Sequence, residues 1–288
     1  MLQLANVTKV FKTGTFGGAS VTAVSGVTFD IRPGEIVSLI GESGSGKTTV
    51  GKMILRLTAV TNGSITFDGQ DVSALGRREL HSYYGRVQGV FQDPFSSYNP
   101  VFKVDRVFEM VRSSYLPGLT RAEWSKRRQR ALEDVGLEPA DVLGKYPHQL
   151  SGGQLQRLLI SRALILDIEI LVADEIISML DASTRIDVLN ILGDLKERGL
   201  GVLFVTHDLA LGNYISDRVV ILQRGRIVEM GPTPKVFANP AHAYTRMLLA
   251  CVPQLTAKWA QTTYSEQQAD PGAGATLQLV EDDHYVER

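Results

Sequence analysis

Ile36-Val37-Ser38-Leu39-Ile40-Gly41-Glu42-Ser43-Gly44-Ser45-Gly46-Lys47-Thr48-Thr49 is the stretch on which the fold of this chain turns. Its first five residues are apolar except for one serine and predict a buried strand. The following run, Val50-Gly51-Lys52-Met53-Ile54-Leu55-Arg56-Leu57, predicts a helix. Between them, residues 41–49 fit G-x-x-x-x-G-K-[ST], a phosphate-binding loop in the strand–loop–helix context that the motif requires. Its glycines let successive backbone N–H groups face phosphate oxygens, and the helix N-terminus adds its positive dipole end. Lys47 is placed to reach β- and γ-phosphates, and the Thr48 hydroxyl to ligate Mg²⁺. A bound nucleotide is therefore the first expectation.

Composition sets the outer bounds. The chain has 288 residues, 44% of them hydrophobic, enough for one large buried core or two smaller ones. A net charge of −1 gives no global basic field for nucleic acid. The single cysteine, Cys251, excludes an intrachain disulfide and any all-cysteine metal or iron–sulfur site within one chain. The N-terminus lacks the basic and long apolar regions of a signal peptide. No run approaches the ~18 apolar residues that a membrane-crossing helix needs. The expectation is a cytoplasmic protein able to dock on a membrane protein.

Around the loop, strands are expected over 2–11 and 21–31, paired as a hairpin, and over 64–67 between Asn62-Gly63 and Asp68-Gly69. These make a small antiparallel layer. A further strand is expected over 85–92. Residues 104–142 read as helical and charged, and their basic run at 121–130 is read as a solvated helix face rather than a nucleic-acid patch. A helix over 155–166 precedes a β-branched strand over 168–175 that ends in Asp174-Glu175. A helix over 181–198, a strand over 201–206 ending at His207-Asp208, and a hairpin around Gln223-Arg224-Gly225 follow. Alternating strands and helices predict an α/β fold, a mainly parallel sheet covered on both faces. A short helix over 241–251 then leads to a polar tail, 261–288, expected to pack weakly or remain partly disordered.

Leu150-Ser151-Gly152-Gly153-Gln154, followed by Gln156-Arg157, resembles the signature motif of ATP-binding-cassette (ABC) ATPases. The ordered set of phosphate loop, Gln92, signature, Asp174-Glu175, Asp181 and His207 matches an ABC nucleotide-binding domain over 1–235, with a helical subdomain inserted at about 95–160 and an extension over 236–288. The resemblance implies ATP and Mg²⁺ as ligands. Under it, residues 41–49 hold the phosphates, Thr48, Gln92 and Asp174 hold the metal, and Phe11 stacks on adenine unless it is a plain apolar strand residue. Glu175 is the candidate to polarise the attacking water, Gln92 to sense the site, and His207 to bond the γ-phosphate. Ser151, Gly152, Gly153 and Gln154 contact the ATP of an opposing protomer, and Asp181 lies along that seam. One departure from the family pattern is Ile176-Ile177, where a proline usually follows the glutamate; the expectation is a Glu175 held less rigidly.

Three stretches resemble the peptide and nickel importer branch: Phe91-Gln92-Asp93-Pro94-Phe95-Ser96-Ser97-Tyr98-Asn99-Pro100, Tyr146-Pro147-His148-Gln149 before the signature, and Asn239-Pro240-Ala241-His242-Ala243-Tyr244-Thr245-Arg246-Met247-Leu248-Leu249. The resemblance implies an ATP-hydrolysing importer subunit on the cytoplasmic face of the membrane, with peptide as the first cargo and nickel or oligosaccharide open. Its implied partners are a second ABC ATPase (a paralogue is favoured), two transmembrane permease subunits and, indirectly, an extracytoplasmic substrate-binding protein; nucleic acid is not among them. An exporter ATPase and a soluble ABC ATPase acting on DNA or ribosomes are the competing readings. No tandem cassette, coiled coil or zinc hook supports the soluble one.

Overall fold

Two antiparallel strands open the chain in the computed structural model, which describes residues 1–12, 18–251, 277–281 and 283–287. These strands, β1 (Leu2–Lys12) and β2 (Ser20–Ile31), alternate inward Leu2, Leu4, Val27 and Phe29 with outward polar residues. β3 (Ile36–Ile40) leads through the glycine loop into α1 (Lys47–Ile54). β4 (Asn62–Phe67) and β5 (Gln70–Asp71) return beside β1, closing a small sheet of order β2-β1-β4-β5. Next comes α2 (Arg77–Arg86), which no apolar pattern announced. It docks because the Tyr83 and Tyr84 hydroxyls donate to the Ile54 and Leu55 carbonyls at the end of α1. This helix takes up Gly85 and Arg86, so the strand expected over 85–92 is only β6 (Val87–Val90).

The helical subdomain comprises α3 (Asp105–Tyr115), α4 (Arg121–Glu133), α5 (Pro139–Val142) and α6 (Gly152–Leu164). Phe108, Trp124, Leu132 and Leu158 are buried among them. The basic run lies on α4, where Arg127 pairs with Asp167 and Arg128 lies 3.7 Å from Asp105. β7 (Ile170–Asp174), α7 (Ala182–Glu197), β8 (Gly201–Thr206), α8 (Leu209–Ile215) and β9 (Arg218–Gln223) continue the core. β10 (Arg226–Pro232), α9 (Thr233–Ala238) and α10 (Ala243–Ala250) follow.

From β10 onward the main sheet has the order β10-β9-β3-β8-β7-β6, and the five strands from β9 to β6 run parallel. Both faces of the central strands β3, β8 and β7 are buried, which is why these read as continuous apolar runs. In β7, Ile170 and Val172 pack toward the antiparallel layer and α1, whereas Leu171 and Ala173 pack toward the helical side.

At 277–281 and 283–287 the C-terminus differs from the weakly packed or partly disordered tail expected over 261–288. β11 (Leu277–Glu281) and β12 (His284–Glu287) form a hairpin that extends the main sheet beyond β10. The pairing is held by polar groups that pattern reading scores as tail. His284 Nε2 lies 2.7 Å from the buried Glu229 carboxylate, and Arg226 Nε donates to Glu287 at 2.6 Å. The tail residues at 252–276 lie outside the described residues.

Candidate active site

Adjacent parallel strands carry the candidate residues at their C-terminal ends, where a crevice forms in an α/β sheet. β3 runs into the glycine loop, β8 into His207, β7 into Glu175 and β6 toward Gln92, in the spatial order β3-β8-β7-β6. Parallel register sets Ile40 beside Thr206, Asp174 beside Val205 and Val90 beside Ala173.

The loop takes its shape from its neighbours. A Cβ on Gly41 would collide with the Leu222 carbonyl of β9, and one on Gly46 with the Ala23 carbonyl of β2. Gly46 also has φ 105°, a conformation that glycine alone adopts without strain. The Gly225 N–H donates to the Ser45 carbonyl at 2.9 Å, and the Glu42 N–H donates to the Tyr244 hydroxyl at 3.0 Å. Two features of this cradle suit an anion. The Ser45 hydroxyl is buried without a hydrogen-bond partner. The Lys47 ammonium, also buried, donates to the Gly41 and Glu42 carbonyls at 2.7 and 2.8 Å, folded back over the loop.

Charge is concentrated beside it. Burial pushes the Lys47 ammonium below its usual pKa, against the pull of Glu175, Asp174 and Glu42. Asp174 is buried, which raises its carboxyl above the ordinary value of 3.8; Glu175 adds to the rise, and the Thr48 hydroxyl, donating at 3.3 Å, opposes it along with Lys47 and Lys52. A carboxylate pushed up this way gains by meeting a cation. Thr48 Oγ1 and Asp174 Oδ1 together are a hard oxygen pair of the kind that Mg²⁺ prefers.

Glu175 has φ 50°, the left-handed region, uncommon for a residue with a side chain. Its N–H donates to Val205 at 3.0 Å, and its carbonyl accepts the Ser178 N–H at 3.1 Å and the Ser178 hydroxyl at 2.9 Å. Ile176 and Ile177 are both buried. The turn without proline is thus restrained by packing and hydrogen bonds. Glu175 Oε1 lies 3.5 Å from His207 Nδ1, and a cavity of about 60 Å³, large enough for water, opens between them and Ser178. A larger cavity, about 610 Å³, lies away from these strand ends between α4 and the end of α7; its Arg198 and Asp134 are already paired at 2.5 Å.

Lys47, Thr48, Asp174, Glu175 and His207 therefore come together. Gln92 is exposed in the turn after β6, with no hydrogen bond to this group among the described residues. Phe11 is exposed at the end of β1, with Lys9 Nζ 4.9 Å from its ring centre. Ser151 caps α6: its hydroxyl accepts the Gln154 N–H at 3.2 Å and the Gln154 side chain accepts the Ser151 N–H at 3.0 Å. Asp181 caps α7 through the Thr184 N–H at 3.0 Å, and its carboxyl is held low by the Ser183 and Thr184 donors. A Cβ on Gly153 would meet the Thr184 methyl, so the signature loop and Asp181 share a neighbour. Sequence reading missed Tyr244, Ser178 and Thr184 as site neighbours. Only Tyr244 carried a signal, inside 239–249.

Residues 24–178 match the ABC transporter family, and residues 228–276 match the oligopeptide/dipeptide transporter C-terminal region. A putative peptide import ATP-binding protein of Brucella ovis is 44% identical over 255 residues, 88% of this chain and 78% of the relative. The glutathione import ATP-binding protein GsiA of Salmonella paratyphi A is 43% identical over 235 residues, 81% of this chain and 37% of that one. Among solved structures, the dimeric post-hydrolysis state of the ATP-binding cassette MJ0796 bound to ADP and Pi superposes with a TM-score of 0.72 at 31% identity, over 81% of this chain and 99% of the other. cbiO1 from Clostridium perfringens, at 24% identity and a TM-score of 0.71 over 83% of this chain and 90% of that one, shares the fold.

Proposed function

The chain belongs to the ABC transporter family and is one of its ATP-hydrolysing subunits, and we propose that it powers peptide import through the site assembled at the ends of β3, β6, β7 and β8. The observation that carries the chemical half of this reading is the convergence of Lys47, Thr48, Asp174, Glu175 and His207 beside a loop whose buried Ser45 hydroxyl has no partner. The cargo half rests on the match of residues 228–276 and on relatives whose names specify peptide or glutathione import.

The loop amides and the N-terminus of α1 hold the phosphates, and Lys47 leaves the Gly41 and Glu42 carbonyls for the β- and γ-phosphate oxygens. Thr48 and Asp174 are the residues that would hold Mg²⁺, which would neutralise phosphate charge. Glu175 orients a water in the cavity that it shares with His207, and His207 donates to the transferring phosphoryl oxygens. Phe11 offers an exposed ring to adenine, and Gln92 follows the metal and water from the β6 turn. Residues 1–235 act as the cassette, carrying the helical insertion at 95–160, and the extension from 236 packs back onto it through Tyr244 and the β11–β12 hairpin.

The partner reading has its own supports. α6 begins at Gly152 and Gly153, and the first amides of a helix have no intrahelical partner, as a second anion site in a head-to-tail ATPase pair requires. Phe95, Val101, Phe102 and Met110 are exposed apolar residues on and near the loop after Gln92, a surface suited to a permease helix at the cytoplasmic face of the membrane. The second ATPase is a paralogue in this reading, and a substrate-binding protein delivers the cargo. Deleting the gene in its host and following uptake of a labelled dipeptide tests the cargo; unchanged uptake overturns the peptide assignment. Mixing a Ser151→Arg chain with its unmodified partner tests the shared site, which predicts loss of hydrolysis in the partner's half.

A further inference from the structure

We propose that Tyr244, outside the cassette core, is a positioning residue of the nucleotide site that orients the Gly41–Glu42 peptide of the phosphate loop. The inference rests on the ATP-binding reading above. Its geometry is specific to one peptide plane. The Glu42 N–H donates to the Tyr244 hydroxyl at 3.0 Å, and the Gly41 carbonyl of the same peptide unit accepts the Lys47 ammonium at 2.7 Å. In a trans peptide these two groups point in opposite directions, so the hydroxyl on one side sets where the carbonyl faces on the other. The Glu42 side chain is exposed and contributes nothing to this restraint.

Tyr244 is itself held from three elements. Its ring is buried in a cluster with Ile40, Val219, Ile221 and Val236. The Tyr244 N–H donates to His242 Nδ1 at 3.1 Å, which fixes the first turn of α10. The fully buried Glu229 carboxylate of β10 accepts the Ala241 N–H at 2.8 Å and the His242 N–H at 3.0 Å, and it lies 2.7 Å from His284 Nε2 of β12. The start of α10 is therefore tied to β10 through a carboxylate that also meets the C-terminal hairpin, and the hydroxyl is carried on that tie. Nothing in Tyr244 reaches the phosphates; it acts by reducing the freedom that the loop gives up when a nucleotide binds.

The test uses the full chain with Tyr244→Phe, which keeps the buried ring and removes one oxygen. The net worth of a neutral hydrogen bond corresponds to about 2- to 12-fold in an equilibrium constant. The expected result is that much weaker binding of a fluorescent ATP analogue, and a KM for ATP raised by the same factor with kcat unchanged. Amide exchange across residues 40–45 is expected to accelerate. Thr245→Val is the control, since Thr245 is equally buried on the same helix and its hydroxyl has no hydrogen-bond partner among the described residues. It is expected to bind like the wild type. Wild-type affinity and KM in Tyr244→Phe, or equal losses in both variants, overturn the proposal. Failure of the wild-type chain to bind the analogue at all overturns the ATP reading, and this inference with it.

Discussion

Asp174→Asn is expected to make the nucleotide-free protein more stable and the nucleotide-bound protein less so. The side chain is 5% exposed and next in sequence to Glu175, and among the described residues the one hydrogen bond to its carboxylate comes from the Thr48 hydroxyl at 3.3 Å. Burial disfavours the Asp174 carboxylate by more than the Thr48 hydroxyl, Lys47 and Lys52 favour it, and Glu175 adds like-charge repulsion, so this negative charge is held at a cost. Asparagine keeps the shape and an acceptor for Thr48 while removing that charge. The gain should be about 1 kcal/mol, the usual size of a stabilising change at a strained functional site. For a chain of this length that is about 2–4 °C in Tm.

The pH dependence follows from the direction of the shift. Burial raises the Asp174 pKa in the folded state above its unfolded value, so the protonated fold is favoured at low pH and that advantage is lost as pH rises through the folded value. The difference between variant and wild type should therefore be full at neutral pH and shrink as pH falls through the raised value toward 3.8. The assay is thermal melting by circular dichroism, with and without MgATP. A wild-type chain at 100 times its Kd gains about 2.7 kcal/mol from ligand, and the variant should lose the metal-dependent part of it. A lower Tm for Asp174→Asn at neutral pH without nucleotide refutes the electrostatic reasoning.

Glu175→Gln is expected to bind ATP normally and lose at least ~100-fold in turnover, read by phosphate release; full activity would remove Glu175 from its role. Gly46→Ala places a Cβ against the Ala23 carbonyl at φ 105°, and should cost more than ~2 kcal/mol and abolish nucleotide binding. Thermal melting and a binding titration check both, and a wild-type Tm with intact binding contradicts the cradle described here. Ile176→Pro removes a buried side chain from the turn, and should destabilise the fold by about 2–4 kcal/mol rather than tighten Glu175. Denaturant melts measure it, and an unchanged midpoint would mean that packing does not hold this turn.

The core of the fold was legible because it is written locally. An apolar β-branched run followed at once by a glycine loop, a carboxylate pair or a histidine marks a strand and its functional end together, as at Ile40, Asp174 and Thr206. The missed elements lack such a pattern. α2 has mostly polar residues and docks by two tyrosine hydroxyls, and the β11–β12 hairpin buries Glu229, His284 and Glu287, residue types that sequence reading assigns to solvent. Polar groups are buried only when a partner waits for them, and that partner can be far along the chain.

From its residue order alone, the chain determined a phosphate loop between a buried strand and a helix and a carboxylate pair at the end of another strand, since strand periodicity and loop chemistry are set by near neighbours; the ordered motifs' resemblance to the ABC family joined these to the signature loop in one ATPase. Tertiary structure alone decided how that loop is held. The Glu42 N–H meets a hydroxyl 202 residues away, and Gly41 and Gly46 are required by the Leu222 and Ala23 carbonyls packed against them. Such contacts depend on sheet register and on which helices cover which face, so no local pattern carries them.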